Sequence, residues 1–283
     1  MSHKTDFYIF LFKITPTCIL SRLFGLITRI PVSQKILAPV IEWYCEKFEV
    51  NMKEYSIPKN GYRTFDEFFT RKLKPKARPI ATCPKIVTSP VDALIYEFGK
   101  IDNTSIIQAK GIDFSINDLV PSATANNFHN GMFITLYLSP GDYHRIHSPV
   151  AGKIIGYFNI PGRLFTVQEY MVNQLKGLFS KNERLISYIQ TAKSLIAVCK
   201  IGAMNVGRIS INHADIVTNK TFRKKEENFY DNDKIKNVKA GDEIGMFHLG
   251  STIILLFPKN SIKFTGIKAG KKVKMGQKIG TLS

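Results

Sequence analysis

SPVDALIYEFG at residues 89–99 returns in altered form as SPVAGKIIGYF at residues 148–158. A second echo follows: VKAGDEIGMF at 238–247 and VKMGQKIGTL at 273–282 share the pattern V-K-x-G-x-x-I-G. Each pair implies two similar turns feeding two similar strands. Between them run other short β-branched or aromatic segments, FITLYL, LIAVCKI and TIILLF, bounded by Gly, Pro and Asn. Such texture is that of a β-rich region beginning after Pro79. The echoes point to related hairpin units packed together, as in a sandwich or a barrel-sandwich hybrid. Two copies are too few for a solenoid. Residues 168–193 read as a polar, helix-compatible segment, and residues 219–237, dense in charge and Asn, as an exposed loop without chemistry.

The amino-terminal part differs. Residues 7–30 are rich in Phe, Leu and Ile but are broken by Lys13, Pro16, Arg22 and Arg29. No run approaches the roughly 18 apolar residues of a membrane-spanning helix, and no secretory cleavage pattern follows a single apolar block. What remains is a basic, amphipathic, aromatic-rich segment, suited either to a membrane interface or to packing on a core. Ile36, Leu37, Val40, Ile41, Tyr44 and Phe48 place a second helix after Pro31 with one apolar face. Thr64-Phe-Asp-Glu67 has the form of a capping box opening a third helix, which runs into the basic stretch RKLKPKARP (71–79). That stretch is either a solvated linker or a contact for anionic headgroups.

The chain has 283 residues, 40 Lys and Arg against 22 Asp and Glu, and a formal charge of +18. This size supports one large domain or two modest ones. The charge favours anionic partners such as membrane surfaces, phosphorylated substrates or nucleic acid. No nucleic-acid reading motif is present, so nucleic acid is set aside. Cys18, Cys45, Cys83 and Cys199 stand far apart with no CxxC, which argues against disulfides and zinc and fits a reducing compartment.

Three segments could carry chemistry. SPVD places Asp92 at a strand entrance, where a turn-stabilising role is the ordinary reading. YLSPGDYHRIH (137–147) brings His144 and His147 near an acid and a tyrosine. They could be acid–base groups, structural groups or metal ligands, although no cysteine or acidic cluster completes a metal set. FHLGST (247–252) places Gly250-Ser251 at the mouth of an apolar strand, and is not the G-x-S-x-G elbow of α/β-hydrolases.

Taken in order, FFTRKLKPKARPI, SPVD, YLSPGDYHRIH, PGRLF, LFSKNER, IGAMNVG and GMFHLGSTIILLF resemble the phosphatidylserine decarboxylase family from about residue 60 to the end. The amino-terminal helices match more loosely. The resemblance implies an α+β protein: amino-terminal membrane-associated helices over residues 1–78, then a β-rich catalytic domain of barrel-sandwich-hybrid type over 79–283. It implies a proenzyme that cuts itself between Gly250 and Ser251 into a β chain (1–250) and an α chain (251–283). Ser251 would attack the preceding carbonyl, with His147 as base and Asp92 fixing its tautomer, in Asp-His-Ser logic. Elimination and hydrolysis would leave a covalent pyruvoyl group derived from Ser251. This cofactor would form a Schiff base with phosphatidylserine and act as electron sink while CO2 leaves, giving phosphatidylethanolamine. His144 is the candidate proton donor or headgroup contact, and no metal is implied. Expected partners are phosphatidylserine, an anionic membrane surface and the two chains of the same precursor. The expected location is peripheral, on the cytoplasmic face of the cell membrane.

Residues 251–283 hold seven Lys and no acid, as suits a fragment beside an anionic lipid. Because each fragment carries one copy of the V-K-x-G-x-x-I-G echo, they are expected to stay interlocked after cleavage. Two positions depart from the family pattern: Ala93 follows Asp92 where Gly is usual, and Arg208 stands where a small polar residue is usual. Two other readings remain open on the residues themselves. A serine hydrolase using the same three residues would act as an intact chain, and a basic β-sandwich adaptor would need neither Ser251 nor His147.

Overall fold

The computed structural model describes residues 14–81, 83, 85–109, 111–204, 207–221, 224–248 and 252–283. Its amino-terminal helices are α1 (Thr17–Ile27), α2 (Gln34–Lys47) and the short α3 (Phe65–Phe69). Thr64 Oγ1 accepts from Glu67 N at 3.0 Å, and Glu67 Oε2 accepts from Arg63 N at 2.6 Å, one residue earlier than in the usual reciprocal box. The apolar stripe of α2 is split. Leu37 and Tyr44 are buried, whereas Ile36 and Trp43 are 62% and 55% exposed. Ile19, Leu23, Leu26 and Ile27 of α1 are likewise half or more exposed. No helix among the described residues is long and apolar enough to cross a membrane.

The basic stretch after α3 is neither linker nor headgroup contact at its two arginines. The helix ends at Phe69, and β1 (Tyr55–Ser56) pairs with β2 (Lys72–Leu73). Arg71 is buried against the Tyr55 ring at 4.2 Å and donates to the Gly141 and Asp142 carbonyls. Arg78 is buried beside Asp92 and Glu54. A guanidinium can enter a core when it meets such acceptors, which charge counting alone does not show.

The remaining chain is mostly sheet. It forms β3 (Ile86–Thr88), β4 (Ala93–Lys100), β5 (Ser105–Ala109), β6 (Ile112–Ser115), α4 (Ile116–Leu119), β7 (Met132–Tyr137), β8 (Arg145–His147) and β9 (Gly152–Ile160). Then come α5 (Glu169–Val172), α6 (Leu178–Lys181), β10 (Arg184–Gln190), β11 (Leu195–Ile201) and β12 (Ile209–Ile211). Last are β13 (Glu226–Phe229), β14 (Lys236–Val238), β15 (Glu243–Phe247), β16 (Thr252–Phe257), β17 (Ile262–Phe264), β18 (Lys272–Val273) and β19 (Lys278–Leu282). The expected helix over 168–193 is reduced to the single turns of α5 and α6, followed by a strand. The expected loop over 219–237 contains β13 and β14, which both pair with β9. Edge strands of this kind carry charge on their open side, which hides their periodicity.

A nine-stranded sheet runs β13-β9-β10-β11-β16-β7-β4-β18, with β14 also on β9, and stays open rather than closing into a barrel. Two three-stranded sheets accompany it, β12-β15-β8 and β17-β19-β3. The sequence echoes map onto this plan. β3 pairs β19 and β4 pairs β18; β8 pairs β15 and β9 pairs β14. The two SPV turns cross reciprocally: Thr88 N donates to Pro149 O and His147 N to Pro90 O, both at 2.9 Å. The glycines of the repeated pattern, Gly241 and Gly276, have φ of +89° and +82°. The positive φ at Gly241 favours glycine, and a Cβ there would also lie 2.3 Å from Ile80 Cδ1.

Both faces of the large sheet are covered. Ile254 and Leu256 of β16 enter one core, and Ile253, Leu255 and Phe257 enter the other. Burial on both faces explains the uninterrupted apolar run TIILLF. The first core includes Leu37, Tyr44, Phe68 and Phe69, so the amino-terminal helices and the sheet share it.

One fully buried cation is Lys200 on β11, whose Nζ donates to Ser187 Oγ at 2.6 Å. Burial pushes its pKa down to about 7. Between that value and the ordinary lysine range, the unfolded chain binds more protons, so stability rises with pH there. The penalty is fully present below about pH 7. Lys200→Met should therefore raise stability by up to about 5 kcal/mol at pH 6, a gain that shrinks as pH approaches 10. Urea unfolding at both pH values checks this, and an equal effect at both would contradict it.

Candidate active site

The segment YLSPGDYHRIH folds into a turn and a short strand that aim its polar groups differently. Asp142 Oδ2 accepts from Ser139 N at 2.7 Å and closes the SPGD turn. β8 follows, paired with β15 so that His147 lies opposite Glu243. Arg145 is held by Glu243 at 2.8 Å and by the Thr70 carbonyl at 2.8 Å.

His147 is buried and both ring nitrogens are engaged. Nδ1–H donates to the Gly241 carbonyl at 2.7 Å, and Nε2 accepts from the Tyr143 hydroxyl at 3.0 Å. This assigns the tautomer with its lone pair at Nε2. Burial holds its pKa below the ordinary imidazole range; the Gly241 bond and the charges of Glu243 and Asp92 oppose this only partly. The ring is therefore a neutral base at pH 7.

His144 lies beside it in sequence but in another environment. Its Nδ1–H donates to the Asp142 carbonyl at 2.8 Å, and its ring centre is 4.1 Å from that of Phe69. Burial pushes its pKa down to about 3. Nε2 is buried and has no hydrogen-bond partner among the described residues, an acceptor waiting for a donor.

Asp92 is not hydrogen-bonded to His147. Its carboxylate accepts from Arg78 Nε at 3.1 Å and a second Arg78 nitrogen at 2.6 Å, from Met275 N at 2.8 Å, and from Lys274 Nζ at 3.4 Å. The Gly241 carbonyl has the tautomer-fixing place expected for Asp92. The two residues are joined indirectly: Met275 packs with Tyr143 and Tyr55, and Tyr143 carries the hydroxyl on His147. Ser251 and Gly250, with Leu249, lie outside the described residues. Their flanks are placed. His248 Nδ1 meets the Asp66 carboxylate at 2.9 Å and its Nε2 meets Ser210 Oγ at 3.2 Å. Thr252 opens β16 between Tyr137 of β7 and Ile201 of β11.

Tyr143, Gly241, Arg78 and His248 thus join the expected set. Gly241 stood in the repeated pattern, and Tyr143 and His248 stood inside the motifs. Arg78 looked like one more surface charge. Among the described residues no cluster of His, Cys, Asp or Glu could hold a metal.

An apolar cavity of about 730 Å³ adjoins this region. Phe24 and Ile27 of α1, Leu37, Val40 and Trp43 of α2, and Phe65 and Phe69 of α3 line it, along with Pro140 and Met204. Phe69 forms both its wall and the face against His144. Tyr44 ties α2 to the SPGD turn through a 2.9 Å bond to the Pro140 carbonyl. A neutral base, an orphan acceptor and a large apolar recess suit a substrate with a polar head and long apolar tails.

Comparison with known proteins places the chain in a family. The family described as phosphatidylserine decarboxylase matches residues 65–281. The chain is 38% identical over 271 residues to the phosphatidylserine decarboxylase proenzyme of Brevibacillus brevis, covering 94% of each. It is 37% identical to that of Myxococcus xanthus, covering 96% of this chain and 97% of the relative. Against that of Vibrio campbellii it is 40% identical, covering 84% and 85%. The matched span holds both histidines, Asp92 and the Gly250-Ser251 step, and the chain belongs to the phosphatidylserine decarboxylase family, whose members are decarboxylases and hence lyases.

Proposed function

We propose that this chain converts phosphatidylserine to phosphatidylethanolamine and CO2, after cutting itself between Gly250 and Ser251 and turning Ser251 into a pyruvoyl group. The observation that carries the reading is His147: buried, neutral, and held by Gly241 with its lone pair at Nε2. Such a nitrogen can take the proton of the Ser251 hydroxyl as that oxygen attacks the Gly250 carbonyl carbon. Tyr143, now bonded to the same nitrogen, must yield its place or pass the proton on. Asp92 acts as a positioning residue through Met275 and Tyr143, and its charge favours the imidazolium through space.

The orphan nitrogen of His144 fits the same cofactor site. The pyruvoyl carbonyl supplies the electron sink that decarboxylation requires. With Nδ1–H committed to Asp142, His144 Nε2 is an acceptor, which favours a contact to the ammonium of the serine headgroup over the donation of a proton. The apolar cavity takes the acyl chains. The exposed apolar residues of α1 and α2, with the +18 charge, dock the protein on an anionic membrane surface. Four cysteines spaced far apart with no CxxC fit a reducing compartment, which supports a peripheral position on the cytoplasmic face of the cell membrane.

Both chains of the cut protein, 1–250 and 251–283, remain one heterodimer on this reading. β16 lies in the middle of the large sheet, paired with β11 and β7, and β19 bridges β17 and β3. The reciprocal SPV crossing supports the barrel-sandwich description of residues 79–283. Denaturing mass spectrometry tests the whole proposal. Active protein should show two fragments, the smaller beginning with a blocked residue 251, and Ser251→Ala should stay whole. An intact chain that decarboxylates phosphatidylserine at full rate would overturn it.

A further inference from the structure

α1 separates two recesses. Phe24 and Ile27 face the apolar cavity, and the other flank lines a groove of about 630 Å³ closed by Arg208 and residues 217–221. Among the described residues the two recesses share no lining residue. Arg22, Arg29, Arg208 and Lys220 line the groove, and among the described residues no Asp or Glu does. Among the described residues none of these four cations forms an ion pair.

Arg22 donates to the Asn219 and Lys220 carbonyls and to Thr221 Oγ1. These neutral acceptors hold α1 to the loop without cancelling the charge. Among the described residues the Arg29 side chain donates only to the Gly25 carbonyl, through Nε. The Arg208 guanidinium is half-buried and, among the described residues, makes no hydrogen bond. Burial and the positive charge of Arg29 both push its pKa down. Asp66 opposes them weakly, since its carboxylate is already bonded to His248 at 2.9 Å. Two like charges share a partly desolvated recess, an arrangement an anion would relieve. Guanidinium forks match the paired oxygens of a phosphate.

We propose that Arg29 and Arg208, with Arg22 beside them, bind the phosphate of an anionic bilayer lipid that is not the substrate. Leu26 lines the same groove and is 50% exposed, so the lipid's apolar part would continue along α1. This rests on the membrane-docking reading above and gives that docking a specific phosphate site.

The test is sedimentation of the full chain with vesicles of phosphatidylcholine alone or mixed with phosphatidylglycerol. Arg29→Gln/Arg208→Gln should weaken partitioning onto the mixed vesicles about 30-fold, as expected for two interfacial charges. Arg29 is exposed, so Arg29→Gln alone keeps the test valid if the double variant fails to fold; it should weaken binding about fivefold. Lys153→Ala/Lys193→Ala is the charge-matched control. Lys153 is the second residue of β9, whereas α1 meets the chain beyond the other end of that strand, at Gly162. The control should bind like wild type.

Wild type that ignores the mixed vesicles would remove both the docking reading and this site. Wild type that binds them, with both arginine variants binding equally well, would remove the site and leave docking intact. A parallel melt with inorganic phosphate, at matched ionic strength, separates the two phosphate sources. Phosphate that stabilises wild type but not the double variant, while vesicle binding is unchanged, would assign the groove to free phosphate and overturn the lipid assignment.

Discussion

His147→Ala is expected to leave the chain as a single 32.0 kDa polypeptide under conditions in which the native protein is fully cut. The size of the effect follows from the chemistry. A serine hydroxyl is a weak nucleophile at neutral pH, and a positioned base accelerates its attack by about 10²–10⁴-fold. His147 offers its lone pair at Nε2, and burial keeps that nitrogen unprotonated. Its folded pKa lies below the ordinary imidazole value, so native processing should be flat through neutral pH. It should slow only as pH falls through the lowered pKa, where the base becomes protonated. His147→Ala should show a slow, nearly pH-independent residue of cutting. A time course of fragment formation by denaturing electrophoresis between pH 5 and pH 8 measures both features. Cutting of the variant at the native rate would remove His147 from the reaction.

Arg78→Met is expected to give the largest loss of stability among single substitutions near the site. Arg78 and Asp92 side chains are 4% and 3% exposed and meet at 2.6 Å. Burial works against the Arg78 charge, but its bonds to Asp92 and Glu54 outweigh it and leave the group more firmly protonated than usual. Removing the guanidinium leaves a buried carboxylate with only Met275 N and the half-exposed Lys274. Breaking a buried pair from one side costs about 3–5 kcal/mol. Urea unfolding in a Ser251→Ala background keeps the chain whole for the comparison. Adding Asp92→Asn to Arg78→Met should recover part of the loss, because the stranded charge is then gone. A cost under about 1 kcal/mol for Arg78→Met would mean that the pair is not buried as described. In the proposed function the same contact gives Asp92 its route to His147 without touching it: it fixes Met275, which packs on Tyr143.

Much of this was legible in the residues because it is local or repetitive. The two echoes identified the paired units, since a turn that needs positive φ and a strand buried on one side rewrite the same short pattern. The apolar runs marked the β region, and two motifs marked His144, His147 and the Gly250-Ser251 step. Only tertiary structure could decide the rest. An arginine in RKLKPKARP reads the same whether it meets water or Asp92, because its environment comes from chain segments far away in sequence. The tautomer of His147 depends on a carbonyl 94 residues downstream, where any residue could supply a C=O and only the fold selects Gly241. The exposed strands β13 and β14 were hidden for the converse reason: pairing with β9 uses backbone groups and leaves side chains free to be charged. Patterns in a sequence record what neighbouring residues demand of one another, whereas burial, protonation and hydrogen-bond partners are set by contacts that exist only once the chain has closed on itself.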